Sequence, residues 1–573
     1  MRLHAWILGG SLVACAFTSA AAQVSAPPRS EPRAVRAARA DAPDRYGTGA
    51  DVLRYDIELA LPEKASWFIG HARVRVLRKA PLRQELTLDF TGLAVDAVHV
   101  NGRAVRFRHE ADRLAIAVAD ADGDTLDVDV RYRGVPDEGL FIAPDAHGSR
   151  AAFADNWPNR ARFWFPAVDH PGDKALVSFT VHAPTDWQVV ANGALRGEPT
   201  PTAASVAVPD AGARRTWRWE TVTPIPTYTM VVGAGHMVTK TIGTAACGRA
   251  PASPRPDGCV DVSWWVTPND TASAARLFAR AAQMIDTFTA YVGDFPYEKL
   301  ANIQSSTRFG GMENASAIFY SGAAVARGLA TFEDVVAHEI AHQWFGDSVT
   351  PADWTEVWLS EGFATYFGAL FFEQADGLAR FRQSMDASKR AVLESGARDR
   401  PVVGAVNSDL YKMLDINAYQ KGAWVLHMLR RTVGDDDFKR GIQTYYREHV
   451  HGNARTEDLR RAMETASGRS LAAFFDQWVM KPGHPVFRVE HKYDAARGEA
   501  TVVLRQVQKA AWPRFAASAD LDLMWKGGSR RVKIEVAGER QTFTFPVPGP
   551  LTQVVLDPDG WLLFALEGGS GRR

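Results

Sequence analysis

The chain is predicted to be a multidomain α+β protein, and three observations predict it. Short alternating segments broken by Gly, Pro, Asn and Asp fill residues from about 50 to 240. The pattern turns helical from about 265 to 480, and alternation returns from about 485 to 568. With 573 residues, 46% of them hydrophobic, there is material for three or four domains of ~150 residues each. Basic and acidic side chains balance at 66 each, so the charge gives no sign of a nucleic-acid partner.

In chain order, residues 1–22 have the form of a secretory signal: one Arg, an apolar core, and small residues at Ala20 and Ala22. The segment "LVAC", ending at Cys15, offers lipid attachment as the lesser alternative. An extracytoplasmic protein, periplasmic or secreted, is therefore expected, with no membrane span in the mature chain. Residues 23–45, rich in Pro, Ala and Arg, read as a flexible linker. Residues 46–240 form the expected N-terminal β domain, with strands such as "RYDIELAL" and "TLDVDVRY". Cys247 and Cys259 flank a Pro/Gly-rich loop. In an oxidising compartment a disulfide is expected there, two unbonded small residues being the alternative. Residues 241–482 carry the helical patterns, "MKPGHP" marks a boundary, and residues 483–573 read as a small β-sandwich.

The middle segment carries the chemistry. Residues 338–342 read "HEIAH". On a helix, positions four apart share a face, so His338 and His342 present two imidazoles one turn apart, a pair able to chelate Zn²⁺. Thr331 followed by Asp334 resembles a capping box, and Val335, Val336, Ile340, Trp344 and Phe345 supply an apolar face. Glu361 lies on a second expected amphipathic helix with Phe363, Phe367, Leu370 and Phe371, after a segment that Gly346 and Pro351 allow to turn back. A carboxylate delivered from there completes His₂Glu and leaves a fourth position for water. Glu339 is then the natural general base. Two buried histidines bonded to carbonyls would be the bland alternative; the aromatic setting of Glu361 favours the metal.

"HEIAHQWFGDSVTPADWTEVWLSEGFATYF" resembles the zinc segment of the aminopeptidase N family, the gluzincin metallopeptidases, including the 18 residues between His342 and Glu361. "FGGMENASAIFY" resembles the family's exopeptidase signature, "NAYQKGAWVLHML" the segment of its catalytic tyrosine, and "RFWFPAVDHPGDKALVSFTV" and "TPIPTYTMVVGAGHM" parts of its first domain. The resemblance implies a saddle-like N-terminal β domain, a thermolysin-like α/β catalytic domain and a C-terminal β-sandwich. It implies one Zn²⁺ on His338, His342 and Glu361, with catalysis by Glu339 and Tyr419. Peptides with a free N-terminus would be held by Gly310, Gly311, Met312 and Glu313. The activity implied is a zinc-dependent aminopeptidase; a zinc endopeptidase on the same fold and a non-catalytic scaffold are the alternatives. Three departures stand out. Trp157 occupies the position of a Gln or Glu that helps grip the amine in the family, with Asp155 or Asn156 as replacements to consider. Asp347 stands where Asn is common. The family's large C-terminal helical domain is not expected within the sequence.

Overall fold

The computed structural model describes residues 49–79, 85–405 and 409–568. The signal, the linker and Cys15 lie outside the described residues.

The first part is built of sheets whose alternation follows the sequence. A ten-stranded sheet centres on Ala50–Ala60, flanked by Phe68–Arg78 and Lys174–Pro184. In Phe68–Arg78, buried Phe68, Gly70, Ala72, Val74 and Val76 alternate with more exposed residues, the period expected of a sheet with one face on a core. A four-stranded sheet (Gln188–Ala191, Val232–Gly235, Arg150–Ala154, Leu140–Pro144) and a three-stranded sheet complete this region.

The second part contains a five-stranded sheet in the order Val238–Ala245, Val260–Val266, Lys299–Ser305, Ala317–Ser321, Gly311–Met312. The strand Val238–Ala245 straddles the expected boundary at 240/241 and hydrogen-bonds into this sheet. The disulfide Cys247–Cys259 closes the loop between the first two strands. Helices follow. Trp358–Asp376 is not amphipathic as expected: from Trp358 to Phe372 nearly every residue is buried, on all faces, because other helices surround it. At Gly362 the chain at Gly422 comes so close that a Cβ would sit 2.9 Å from the Gly422 Cα. Only glycine permits that crossing, which brings the helix Gly422–Val433 and the turn before it onto the Glu361 helix.

The last part is two sheets, of four and three strands, with Phe487, Val502, Leu504, Leu521, Leu523 and Ile534 in the core. Among the described residues no helix is long and apolar enough to cross a membrane.

Candidate metal and peptide site

The helix Glu333–Ala341 carries the two histidines. Thr331 does not cap it: a 3₁₀ turn, Ala330–Phe332, leads in and no side chain bonds the first amides. Acidic Glu333 and Asp334 occupy the first turn instead, where they complement the helix dipole. Val336, Ile340 and Ala337 are buried behind it, fixing which face looks outward.

On that face His338 Nε2 and His342 Nε2 lie 3.0 Å apart, and Glu361 Oε2 lies 3.2 and 3.3 Å from them. Donors ~2.0–2.1 Å from a shared tetrahedral ion are about 3.3 Å from one another, so this spacing fits one small cation. Tautomers agree. His342 Nδ1 lies 3.0 Å from the Phe345 carbonyl oxygen, and a proton donated there leaves the Nε2 lone pair for a metal. Thr365, its hydroxyl donating to the Glu361 carbonyl at 2.7 Å, faces His338 Nδ1 at 3.5 Å. Burial disfavours the Glu361 carboxylate, but His342 and His338 outweigh it and hold Glu361 below the usual carboxylate range. A buried imidazole–carboxylate set of this kind is the donor chemistry of zinc.

Glu339 sits beside these donors, buried, with Oε2 lacking a hydrogen-bond partner among the described residues. Burial, with Glu313 and Glu361 nearby, pushes its carboxyl well above the usual range. A carboxylate that lines the cleft and keeps an oxygen without a partner fits a proton carrier better than a structural residue.

Gly311–Met312 forms the edge strand of the five-stranded sheet and Glu313 follows it. A Cβ on Gly310 would lie 4.0 Å from Val335, and one on Gly311 would lie 2.3 Å from Glu339 Oε1. Glu313 closes on Glu339 and His342, their ligand atoms all within 4.8 Å. The strand thus runs alongside the helix from Val335 towards His342, with Glu313 at the histidine end. Gln343 ties the two together: its Nε2 donates to the Glu313 carbonyl (3.0 Å) and to Asp347 Oδ2 (2.8 Å), and its Oε1 accepts from the Ser316 amide (2.8 Å). Burial raises the Asp347 carboxyl, which favours the protonated side chain, closer to the Asn common at this place.

Tyr419 belongs to a π-helical turn, Asn417–Lys421, a local widening frequent at functional sites. Its ring stacks on His338, centroids 5.8 Å apart and 10° from parallel. Burial and Glu361 push its hydroxyl well above the ordinary tyrosine range, so it keeps its proton for donation. All nine expected site residues line one cleft of about 480 Å³.

Trp157 lines the same cleft, whereas neither suggested replacement reaches it. Asp155 pairs with Arg160 at 2.6 Å. Asn156 donates to the Thr227 and Met230 carbonyls and accepts from Trp164 Nε1. Asn156 is consumed by these bonds. Asp155, although its Oδ2 keeps no hydrogen-bond partner among the described residues, does not line the cleft, so neither supplies a second amine anchor there. Gln343, Thr365 and the Phe345 carbonyl escaped sequence reasoning. Only the helical spacing of Gln343 from Glu339 hinted at its place.

Residues 278–478 match the peptidase family M1 domain, and residues 52–229 match the peptidase M1 N-terminal domain. Tricorn protease-interacting factor F2 of Thermoplasma acidophilum is 28% identical over 460 residues, covering 76% of this chain and 54% of that one. Aminopeptidase N of Streptomyces lividans is 29% identical over 367 residues, 60% of this chain and 40% of that one. The chain spans about half the length of the curated relatives it matches. Among solved structures, the M1 zinc metallopeptidase from Deinococcus radiodurans has a TM-score of 0.63 at 25% identity, over 75% of this chain and 93% of that one. Legionella pneumophila aminopeptidase A has a TM-score of 0.76 at 17% identity, over 91% and 60%, and shows the shared fold. With both family domains matched in order around one His₂Glu site, the chain belongs to the M1 family of peptidases.

Proposed function

We propose that the protein is a zinc-dependent aminopeptidase that removes single residues from the free N-terminus of peptides. One observation carries the reading: Glu313 closes the cleft beside His338, His342 and Glu361, one residue's reach from the general base Glu339. His338, His342 and Glu361 would hold Zn²⁺, which when bound would supply a Lewis acid and make water a stronger acid near neutral pH.

The chain's own groups do the rest. The substrate backbone adds beside Gly310, Gly311 and Met312, where missing side chains permit close approach. Its α-ammonium pairs with Glu313, whose burial penalises a carboxylate standing alone. Glu339 takes a proton from the attacking water through its free oxygen and returns it to the departing amine. The Tyr419 hydroxyl donates to the oxygen on which negative charge develops. Zinc content measured with turnover tests this: either His338→Ala or His342→Ala is expected to lose both metal and activity, and a fully active metal-free preparation would end the reading.

An extracytoplasmic location is proposed alongside it, supported by the signal-like residues 1–22 and the Cys247–Cys259 disulfide. Cell fractionation with mass spectrometry of the mature N-terminus tests it. The expected terminus follows Ala22, and an uncleaved cytosolic chain would refute the proposal.

A further inference from the structure

The cleft has two unlike ends, and the difference bears on which peptides it takes; the inference rests on the aminopeptidase reading above. The edge strand tracks the zinc helix from Val335 beside Gly310 to His342 beside Glu313. With the amine at Glu313 and the scissile carbonyl beside Glu339, the first side chain branches at the Glu313 end. Later residues leave past Val335 and Ser384.

Trp157 and Phe309 line the cleft, and Trp354 and Tyr411 back Trp157 from outside the lining. Trp354 meets Tyr228 edge-on at 5.4 Å, and Tyr228 lies near enough to feel the Glu313 charge, which sets Trp157 towards the Glu313 end. Trp157 meets Phe309 edge-on at 6.1 Å, Trp354 edge-on at 5.3 Å and Tyr411 at 5.7 Å between centroids. Met312 and Leu414 complete the apolar lining. Trp157 is held firmly: its carbonyl accepts from Arg160 Nε at 2.8 Å, and Arg160 is clamped by Asp155 at 2.6 Å and Glu138 at 3.0 Å. The residue is 3% exposed, so its ring is a preset wall rather than a movable side chain. Among the described residues lining the cleft there is no Lys or Arg.

We propose that this aromatic wall makes the enzyme select a large apolar first residue, aromatic before aliphatic, with Trp157 as the specificity-determining side chain. A phenyl ring entering beside Trp157 and Phe309 exchanges water for edge-to-face and dispersion contacts. An acidic first side chain meets no Lys or Arg in the lining, and Arg160 and Arg308, each 5.9 Å over Tyr411, are already paired with Asp155 and Glu138. It is also desolvated beside carboxylates. A small one leaves the wall uncovered.

Zinc-loaded full-length chain should be given tripeptides X-Ala-Ala with X = Phe, Leu, Ala, Lys or Glu, and kcat/KM followed by mass spectrometry. The expected order is Phe, then Leu, exceeding Ala by about 10–200-fold, with Glu lowest. Trp157→Ala is expected to lower the Phe-to-Ala ratio by about tenfold or more, and Trp157→Phe to retain most of it. Ala, Lys or Glu matching Phe in the wild type would overturn the proposal without any variant having to fold. An unchanged ratio in a zinc-replete Trp157→Ala would overturn the role of Trp157. Turnover of no tripeptide at all would overturn the aminopeptidase reading, and this inference with it.

Discussion

Substituting Gly311 by Ala adds one methyl group and should disable the base without touching the metal. The backbone there has no left-handed φ, so Ala itself is not strained. The new Cβ, however, would lie 2.3, 2.4 and 2.5 Å from Oε1, Cδ and Cγ of Glu339, where ordinary contacts are 3.4–4 Å. The carboxylate must retreat by roughly 1 Å, and a displacement of that size at a reacting group costs about 10²-fold in rate. The three nearest atoms all belong to Glu339 and none to His338, His342 or Glu361, so zinc should stay bound. Steady-state kinetics on a free peptide, with metal content measured on the same sample, separates the effects: kcat should fall about 10²-fold with zinc stoichiometry unchanged. A kcat within about threefold of wild type would refute the placement of Glu339 against the strand. A fall confined to KM would instead locate the clash on the substrate.

Other expectations follow from the same geometry. Glu339→Gln should keep zinc yet lower kcat by ~10²–10⁴-fold, as metal analysis and turnover will show. Tyr419→Phe should lower kcat far more than it alters KM, because the charge it meets develops only in the transition state; a kcat within about twofold of wild type would remove it from the mechanism. His427, stacked on Trp561 at 4.4 Å and facing the Gly560 carbonyl, joins a helix of the middle part to the C-terminal sheets. Burial lowers its pKa from 6.5 to about 3, so its stability contribution is complete above pH 6.5 and is lost as pH falls towards 3. At pH 5 the loss is about 2 kcal/mol. Urea unfolding of wild type and His427→Phe should therefore give a stability gap that narrows from pH 7 to pH 5, and a constant gap would contradict the neutral imidazole.

The metal ligands were legible because a helix converts a spacing of four into one face, and His338 and His342 needed only that rule. Glu361 was reached from its place on an expected aromatic-rich helix after a segment able to turn back, whereas Glu313 and Tyr419 were reached through a resemblance rather than periodicity. The strands Lys299–Ser305 and Ala317–Ser321 carry almost no alternation, since both their faces are buried, so a stretch read as helical conceals half a sheet. Thr331 had the residue type of a cap, but the chain enters through a 3₁₀ turn that places it before the helix. The Glu361 helix showed an apolar stripe because aromatic residues dominate it, and its small residues are buried as well. Trp157 stood out as a departure in sequence, yet its place in an aromatic wall depends on Phe309, Trp354 and Tyr411 converging from distant segments.

The most direct measurement pairs one peptide with its N-acetylated twin, both offered to the zinc-loaded full chain and to a chelator-stripped sample, with products identified by mass spectrometry. The free peptide should lose one residue at a time from its N-terminus, only with metal present. Its twin should react slower by on the order of 10²-fold or more, because Glu313 is left buried without its countercharge. Internal cleavage of both peptides at similar rates, or undiminished cleavage after the metal is stripped, would contradict a zinc aminopeptidase anchored through Glu313.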